Sequence, residues 1–210
     1  MLARALLGTA LIASFALAGC TTPADRAHAL AATQSIAPDD YDDVLGDWTR
    51  HDEVYDVLYR IAFFHVTYHS PAFRRAFLIR HPDVYGPGSE EASRLMLTNQ
   101  ESEDYLEFFV AASTANQRWN DFNRADSIWR ITLRSDDGEP VDGKIERVKT
   151  TANLRAIYPY ITPYANTYAV RFPRNTFTGE PVLTPKTKKL ELRVTSALGA
   201  ANMTWRIKTP

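Results

Sequence analysis

Hydrophobic positions recur with two different periods along the chain, and the period changes near residue 104. Between residues 41 and 103, apolar side chains recur at intervals of three and four, the spacing that places them on one face of a helix. After residue 104, apolar and polar side chains alternate, which is typical of strands with one buried face. The pattern predicts an α+β fold in which a small N-terminal helical region precedes an antiparallel β-sandwich.

The first predicted helix begins at Thr49-Arg50-His51-Asp52, where Thr49 and Asp52 have the spacing of a capping box. Its apolar face is formed by residues spaced three or four apart: Val54, Val57, Leu58, Ile61, His65 and Tyr68. The stretch Ile61–Tyr68 is apolar on nearly all sides, so it also fits a strand. The sequence therefore leaves two interpretations of the second half of this element.

Two further helices are expected before residue 103. Ser70 is placed to cap the second helix, with Pro71 at its first position. His81-Pro82 and the cluster Gly86-Pro87-Gly88 are expected to end that helix. Ser89 is expected to begin the third helix, which runs to about Asn99.

Six or seven strands are predicted in the second region. They are centred on residues 105–110, 129–134, 145–148, 168–172, 190–195 and 203–208. Alternating apolar and polar positions indicate antiparallel sheets with one face exposed to water. This number of strands in about 105 residues favours an immunoglobulin-like sandwich, although the cysteine pair of antibody domains is missing.

The first 20 residues have the layout of an export signal. Arg4 precedes an apolar run from Ala5 to Ala18. This run is too short to cross a bilayer, which requires roughly 20 apolar residues. The run ends in the small residues of Leu17-Ala18-Gly19-Cys20.

Leu17-Ala18-Gly19-Cys20 resembles the lipobox of bacterial lipoprotein precursors. The resemblance implies cleavage before Cys20, a diacylglycerol thioether on its sulfur and an acyl chain on its new amine. It also implies a location in the bacterial cell envelope. Thr21, where inner-membrane lipoproteins commonly carry Asp, favours the outer membrane, and we expect the protein to face the periplasm.

These patterns divide the chain into four parts. Residues 1–19 form the signal peptide, 20–40 a lipidated tether, 41–103 the helical region and 104–210 the β-sandwich. A flexible tether of this length has a root-mean-square reach of roughly 20–25 Å. Cys20 is the only cysteine, so no disulfide within the chain is possible and burial must stabilise the fold.

Composition excludes some function classes. The chain carries 24 basic and 25 acidic residues and has a pI near 6.5, which argues against a nucleic-acid partner. It contains no GxSxG, P-loop, dinucleotide-binding or HExxH motif. We therefore expect a non-enzymatic binding or structural role for the membrane-anchored protein, with another envelope protein or a glycan as partner. No catalytic residue and no cofactor other than the lipid on Cys20 is expected.

The segment from Tyr158 to Tyr164 contains three tyrosines and two prolines in seven residues. Proline cannot donate to a β-ladder, so this segment is expected at an edge or in a loop. Exposed rings of Tyr158, Tyr160 and Tyr164 would suit a glycan or a protein partner. The alternative is that the three rings cover one end of the core.

His65 and His69 indicate an alternative function, in which the protein is a metal-dependent hydrolase that binds its metal through these two residues. Their spacing of four would place both imidazoles on one face of a helix, as in zinc sites. Val66 stands where a metalloprotease would carry its general-base glutamate, and a third ligand would have to come from His81 or Asp52. Two histidines packed in a core would give the same pattern.

Overall fold

The computed structural model describes residues 40–86, 104–136 and 138–207. The helices are α1 (Tyr41–Trp48), α2 (Pro71–Tyr85) and α3 (Ala152–Ile157), with a 3₁₀ turn at Gln117–Trp119. The strands are β1 (Thr49–Asp56), β2 (Tyr59–Tyr68), β3 (Tyr105–Thr114), β4 (Arg130–Ser135), β5 (Val141–Asp142), β6 (Lys144–Val148), β7 (Asn166–Pro173), β8 (Lys189–Ser196) and β9 (Gly199–Arg206).

The nine strands form two antiparallel sheets. The first sheet has the order β1-β2-β3-β7-β6, and the second has the order β5-β4-β8-β9. Alternate residues of both sheets meet in one apolar core, whose largest members include Trp205, Tyr168 and Phe108. The molecule is therefore a β-sandwich-like α+β protein, in agreement with the predicted class.

The predicted helix from Thr49 to Tyr68 is wrong, because these residues form the antiparallel hairpin of β1 and β2. Thr49 and Asp52 do not form a capping box. The Thr49 hydroxyl bonds the Thr67 hydroxyl across the hairpin at 2.7 Å, and Asp52 accepts the backbone N–H of Asn202 at 2.6 Å.

Pairing of the hairpin with β3 explains the error. Phe64, Val66 and Tyr68 are buried on the sandwich side of β2 with the period of two that a strand requires. The first sheet therefore contains strands from both sides of the predicted boundary at residue 104, since β1 and β2 lie in the same sheet as β3 and β7. Of the two interpretations of Ile61–Tyr68, the strand is the one observed.

The start of α2 agrees with the prediction, and its end agrees at Gly86 but not at His81-Pro82. The Ser70 hydroxyl accepts the N–H of Phe73 at 3.1 Å, and Pro71 occupies the first turn. The helix continues through His81-Pro82 to Tyr85, so His81-Pro82 does not end it. Gly86, the first residue of the glycine cluster predicted to end the helix, does end it, with φ of 85°, a conformation that glycine adopts without strain. The helix predicted from Ser89 lies outside the described residues.

Three helices cover the outer face of the first sheet and create a second, smaller core. It is built around Phe109 and Ala111 of β3, against Phe73 of α2 and Leu45 of α1. The Tyr41 hydroxyl donates to the carbonyl of Ile157 at 2.9 Å, so α1 and α3 are joined directly. The described chain has three layers, helices on the first sheet and the first sheet on the second.

Strand β1 also joins the edge of the second sheet. Arg50 Nε donates to the Thr204 carbonyl at 3.0 Å, and the Trp205 indole donates to the Trp48 carbonyl at 2.8 Å. A Cβ at Gly199 would lie 2.7 Å from Val54 Cγ1, so the two edges approach closely at the β8–β9 turn. One side of the sandwich is therefore closed by contacts between β1 and β9.

The predicted strands after residue 104 are confirmed. The turn at Asp136 leads to the short strand β5, which pairs with β4, while β6 pairs with β7 in the other sheet. Within residues 40–86, 104–136 and 138–207, no helix has both the length and the hydropathy needed to cross a membrane.

Candidate functional site

The tyrosine segment follows α3 and lies along the outer face of the first sheet. Tyr158 is the most enclosed of the three rings, with 2% of its surface exposed. It stacks on Phe109 with a centroid separation of 4.0 Å, and its hydroxyl forms a 2.9 Å hydrogen bond with His69 Nε2. Burial raises the pKa of Tyr158 well above its ordinary value. Tyr158 belongs to the second core and offers no surface to a partner.

Tyr160 occupies an intermediate position. Its ring stacks on the His65 imidazole at 4.9 Å, and its hydroxyl is 2.5 Å from the Thr67 hydroxyl. Burial raises the pKa of Tyr160 as well, and this outweighs the opposing effect of its hydrogen bonds. Tyr160 therefore fixes the segment to β2.

Tyr164 is different, because 77% of its surface is exposed. It forms one wall of a groove of about 490 Å³ at the end of the sheet where β2 and β7 begin and β3 ends. The opposite wall is formed by the start of β2 and the end of β3. The groove is lined by Arg60, Ile61, Ala62, Phe63, Ser113, Thr114, Ala115, Thr162, Pro163 and Tyr164.

The groove combines aromatic surface with hydroxyl groups. The Arg60 guanidinium lies 5.3 Å from the centre of the Phe63 ring, and the hydroxyls of Ser113 and Thr162 are 3.5 Å apart across the groove. A groove of this size, with an aromatic wall and a few polar groups, suits a ligand segment that has both an apolar face and hydrogen-bonding groups. Sugars and peptides both meet this requirement.

The two histidines of the metal hypothesis are not brought together. His65 lies in β2 and His69 directly follows it. In an extended strand their Cα atoms are about 13 Å apart, at roughly 3.3 Å per residue, whereas one helical turn would separate them by about 6 Å. The helical spacing on which this hypothesis rested is therefore wrong.

The other proposed metal ligands have different roles. His81 is buried in α2 and stacks on Tyr85 at 4.3 Å, while Asp52 is bonded to Asn202. Burial lowers the pKa of His65, and neighbouring His51 lowers it further. In the part of the chain that the structure describes, no three His, Cys, Asp or Glu residues are grouped to hold a metal ion.

His69 instead joins a buried ionic network around Glu107. One Glu107 carboxylate oxygen lies 3.5 Å from His69 Nδ1 and 3.9 Å from an Arg74 nitrogen, while the other accepts from Arg171 Nε at 3.2 Å. Arg74 Nε also donates to the His69 carbonyl at 2.7 Å. The network connects β3, β7 and α2 beneath the helical layer.

The Glu107 carboxylate is held ionised by this network. Burial alone would raise its pKa, but His69, Arg171 and Arg74 together outweigh burial and lower the pKa to about 2. The order Tyr158, His69, Glu107 has the form of a proton relay. However, its tyrosine is buried in the second core, so the network fastens the helical layer to the sheet.

Sequence reasoning identified only one wall of the groove. The prolines and tyrosines around Tyr164 are the sequence signal for that wall. Arg60, Phe63 and Ser113 carry no comparable signal, because the sequence leaves Ile61–Tyr68 open between helix and strand and does not reveal its pairing with β3. The alternation of Ala62, Phe64 and Val66 was the signal that would have placed Phe63 on the opposite face.

Comparisons with known proteins found one similar solved structure. No family model matches the chain, and no curated protein matches it. A crystal structure described as a novel protein of unknown function from Burkholderia pseudomallei aligns over 93% of both chains, with 11% identity and a TM-score of 0.45.

Proposed function

We propose that the protein is a lipid-anchored component of the bacterial cell envelope with a binding role. The resemblance of Leu17-Ala18-Gly19-Cys20 to a lipobox supports the anchor, and the diacylglycerol and N-acyl chains on Cys20 would hold the mature protein firmly. Thr21 after the cysteine supports the outer membrane, with the folded domain in the periplasm.

We also propose that the sandwich is immunoglobulin-like. The order β2-β3-β7-β6 matches the order A-B-E-D of one immunoglobulin sheet. The order β5-β4-β8-β9 matches C′-C-F-G of the facing sheet. In this assignment β1 is an added edge strand. Immunoglobulin-like domains use loops at the ends of the strands for binding, and the groove lies at such an end.

The binding site in this proposal is the groove beside Tyr164, and the carrying observation is the exposed Tyr164 ring above it. A tyrosine presents a large amphipathic surface with little side-chain entropy to lose, so it is an effective contact residue. The hydroxyls of Ser113 and Thr162 and the Arg60 guanidinium would orient the ligand. The ligand that binds in this groove is another envelope protein or a surface polymer.

The anchor is tested by Cys20→Ala. We expect the variant protein to leave the membrane fraction and to lack the acylated mass of the wild-type protein. Cys20→Ala protein that stays firmly in the membrane fraction would contradict the anchor.

The binding role is tested by recovering partners from membranes with four forms of the lipoprotein. We expect wild type, Tyr164→Phe and the distant control Phe177→Ala to recover the same protein or polymer. We expect Tyr164→Ala to lose it while keeping its melting temperature. Equal recovery with all four forms would reject the groove as the binding site.

A further inference from the structure

The turn between β1 and β2 carries exposed apolar side chains. Val57 and Leu58 form the turn and are 89% and 84% exposed, and Tyr55 and Tyr59 flank them. We propose that this hairpin tip, residues 55–60, lies in the interfacial region of the bilayer that holds the lipid on Cys20. The inference rests on the proposed lipid anchor.

The hairpin tip projects beyond the rest of its sheet. Pairing of β2 with β3 ends at Ala62 and Thr114, whereas pairing of β1 with β2 continues to Asp56 and Tyr59. One further bond joins the Ala115 N–H to the Ile61 carbonyl at 2.8 Å. The strands of the tip therefore extend about 7 Å past this last bond, at roughly 3.3 Å per residue. Its apolar side chains are exposed and belong to neither core of the described chain.

The backbone conformation of the turn is unusual for the valine that occupies it. Val57 has φ of 53°, a conformation in which glycine or asparagine is common and a β-branched residue is an outlier. With most of its surface exposed, Val57 gains little packing within the domain to offset this strain. A contact outside the domain would supply that gain.

The chemistry of the tip fits a lipid surface. Tyrosine favours the headgroup level of a bilayer, because its ring is apolar and its hydroxyl is polar, while valine and leucine favour the acyl boundary. Asp56 and Arg60 belong to the same tip and restrict it to shallow insertion, because charges are costly in the hydrocarbon core. The tip would thus lie among the headgroups with Val57 and Leu58 deepest.

Other exposed apolar residues are concentrated at the same end of the sandwich. Six of the eight large exposed hydrophobic residues in the described ranges lie where β1 ends and where β2, β4 and β7 begin: Tyr55, Val57, Leu58, Tyr59, Ile128 and Tyr164. Tyr105 and Phe177 lie at the opposite end. The apolar surface is therefore polarised toward one end of the sandwich.

The length of the tether permits this orientation. The 20 residue-to-residue steps from Cys20 to Asp40 can extend to at most roughly 66–72 Å, at 3.3–3.6 Å per residue. The domain can therefore turn its hairpin tip toward the bilayer in which Cys20 is anchored. In this orientation the groove, which lies at the same end of the sandwich, is close to the headgroups.

The experiment places one fluorescent probe on the mature lipoprotein. Because acylation consumes the Cys20 thiol, Val57→Cys adds a unique free thiol for an environment-sensitive label. Phe177→Cys, at the opposite end, is the matched control. Both labelled proteins are inserted into vesicles of phosphatidylethanolamine and phosphatidylglycerol. Emission is then recorded with a spin-labelled lipid and with aqueous iodide as quenchers.

We expect the label at residue 57 to shift to shorter wavelength and to be quenched by the spin-labelled lipid. The label at residue 177 should keep its aqueous emission and be quenched by iodide. A second variant tests the apolar contact: with Leu58→Asp added to the labelled Val57→Cys protein, the shift should be lost. Equal iodide quenching at residues 57 and 177 would overturn the inference.

Two other outcomes have distinct meanings. If the label at residue 57 is shielded only after a second envelope protein is added, the tip binds protein and the inference is wrong. If the wild-type protein still reacts with a thiol reagent and lacks the acylated mass, the proposed anchor itself has failed. The wild-type control therefore separates the two proposals.

Discussion

The two ends of the tyrosine segment differ more than their sequences suggest. Tyr158 and Tyr164 are six residues apart and each lies next to a proline, yet their exposed fractions are 2% and 77%. Tyr158 is covered by Phe73 of α2 and lies on Phe109 of the sheet. Tyr164 lies past the edge of that helical layer, at the groove.

The helical layer, and not the tyrosine itself, therefore determines what each ring does. Where α1 and α2 cover the sheet, a tyrosine becomes a core residue and its hydroxyl needs a partner. Where the cover ends, the same residue type becomes a contact surface. One segment thus serves stability at its start and binding at its end.

The largest expected effect comes from removing the two rings separately. Tyr158→Ala should destabilise the protein by about 3–5 kcal/mol, the usual cost of deleting a buried aromatic ring. Tyr164→Ala should change the free energy of unfolding by less than about 0.5 kcal/mol, because the ring is exposed. Urea denaturation of both variants measures the contrast.

A milder variant keeps this test informative if Tyr158→Ala does not fold. Tyr158→Phe retains the stack on Phe109 and removes only the hydrogen bond with His69, so it should cost about 1 kcal/mol. Similar losses for Tyr158→Ala and Tyr164→Ala would show that the two ends are not different environments.

The next largest effect concerns the buried network below the helical layer. The folded-state pKa of Glu107, about 2, lies below its ordinary value of 4.5. Its stabilisation is therefore complete above about pH 4.5 and is lost as the pH falls toward 2. The lowered pKa corresponds to roughly 3 kcal/mol, so Glu107→Gln should lose about that much at neutral pH.

The matched control is Glu53→Gln, in the open hairpin. Glu53 accepts from the Tyr55 hydroxyl at 2.6 Å and lies 3.6 Å from Arg60, near the surface. Such exposed pairs contribute about 0–1 kcal/mol. The free energy of unfolding, measured by denaturation at several pH values between 2 and 7, should depend less on pH in Glu107→Gln than in wild type. In Glu53→Gln it should keep the pH dependence of wild type. Parallel curves for wild type and Glu107→Gln would show that the network does not hold the carboxylate ionised.

Local signals in the sequence were sufficient where the structure depends on neighbouring residues. Ser70-Pro71 predicted the start of α2, because an N-cap bond joins residues three apart. The alternation around Leu190–Val194 predicted β8, because this signal also comes from residues that are close together in sequence. The β1–β2 hairpin was missed because its identity depends on pairing with β3, about 45 residues away.

The candidate site shows the same limit. Tyr164 could be selected from its own segment, but the opposite wall of the groove depends on the register that places Ala62 beside Thr114. The burial of Tyr158 depends on Phe73 and Phe109, which are far away in sequence. No pattern within Tyr158–Tyr164 distinguishes the enclosed ring from the open one.

The smallest expected effect comes from Tyr160, which lies between the two ends. Tyr160→Phe keeps the stack on His65 and removes the hydrogen bond to the Thr67 hydroxyl. Thr67 remains bonded to the Thr49 hydroxyl at 2.7 Å, so no buried group is left unpaired. The loss of stability should therefore fall at the low end of the usual 0.5–1.5 kcal/mol for one hydrogen bond, at about 0.5 kcal/mol.

Tyr164→Phe is the control and should show no loss of stability in the same urea titration. A loss for Tyr160→Phe as large as that for Tyr158→Ala would mean that the enclosed region extends past residue 160. The boundary between the core and the groove would then lie closer to Tyr164.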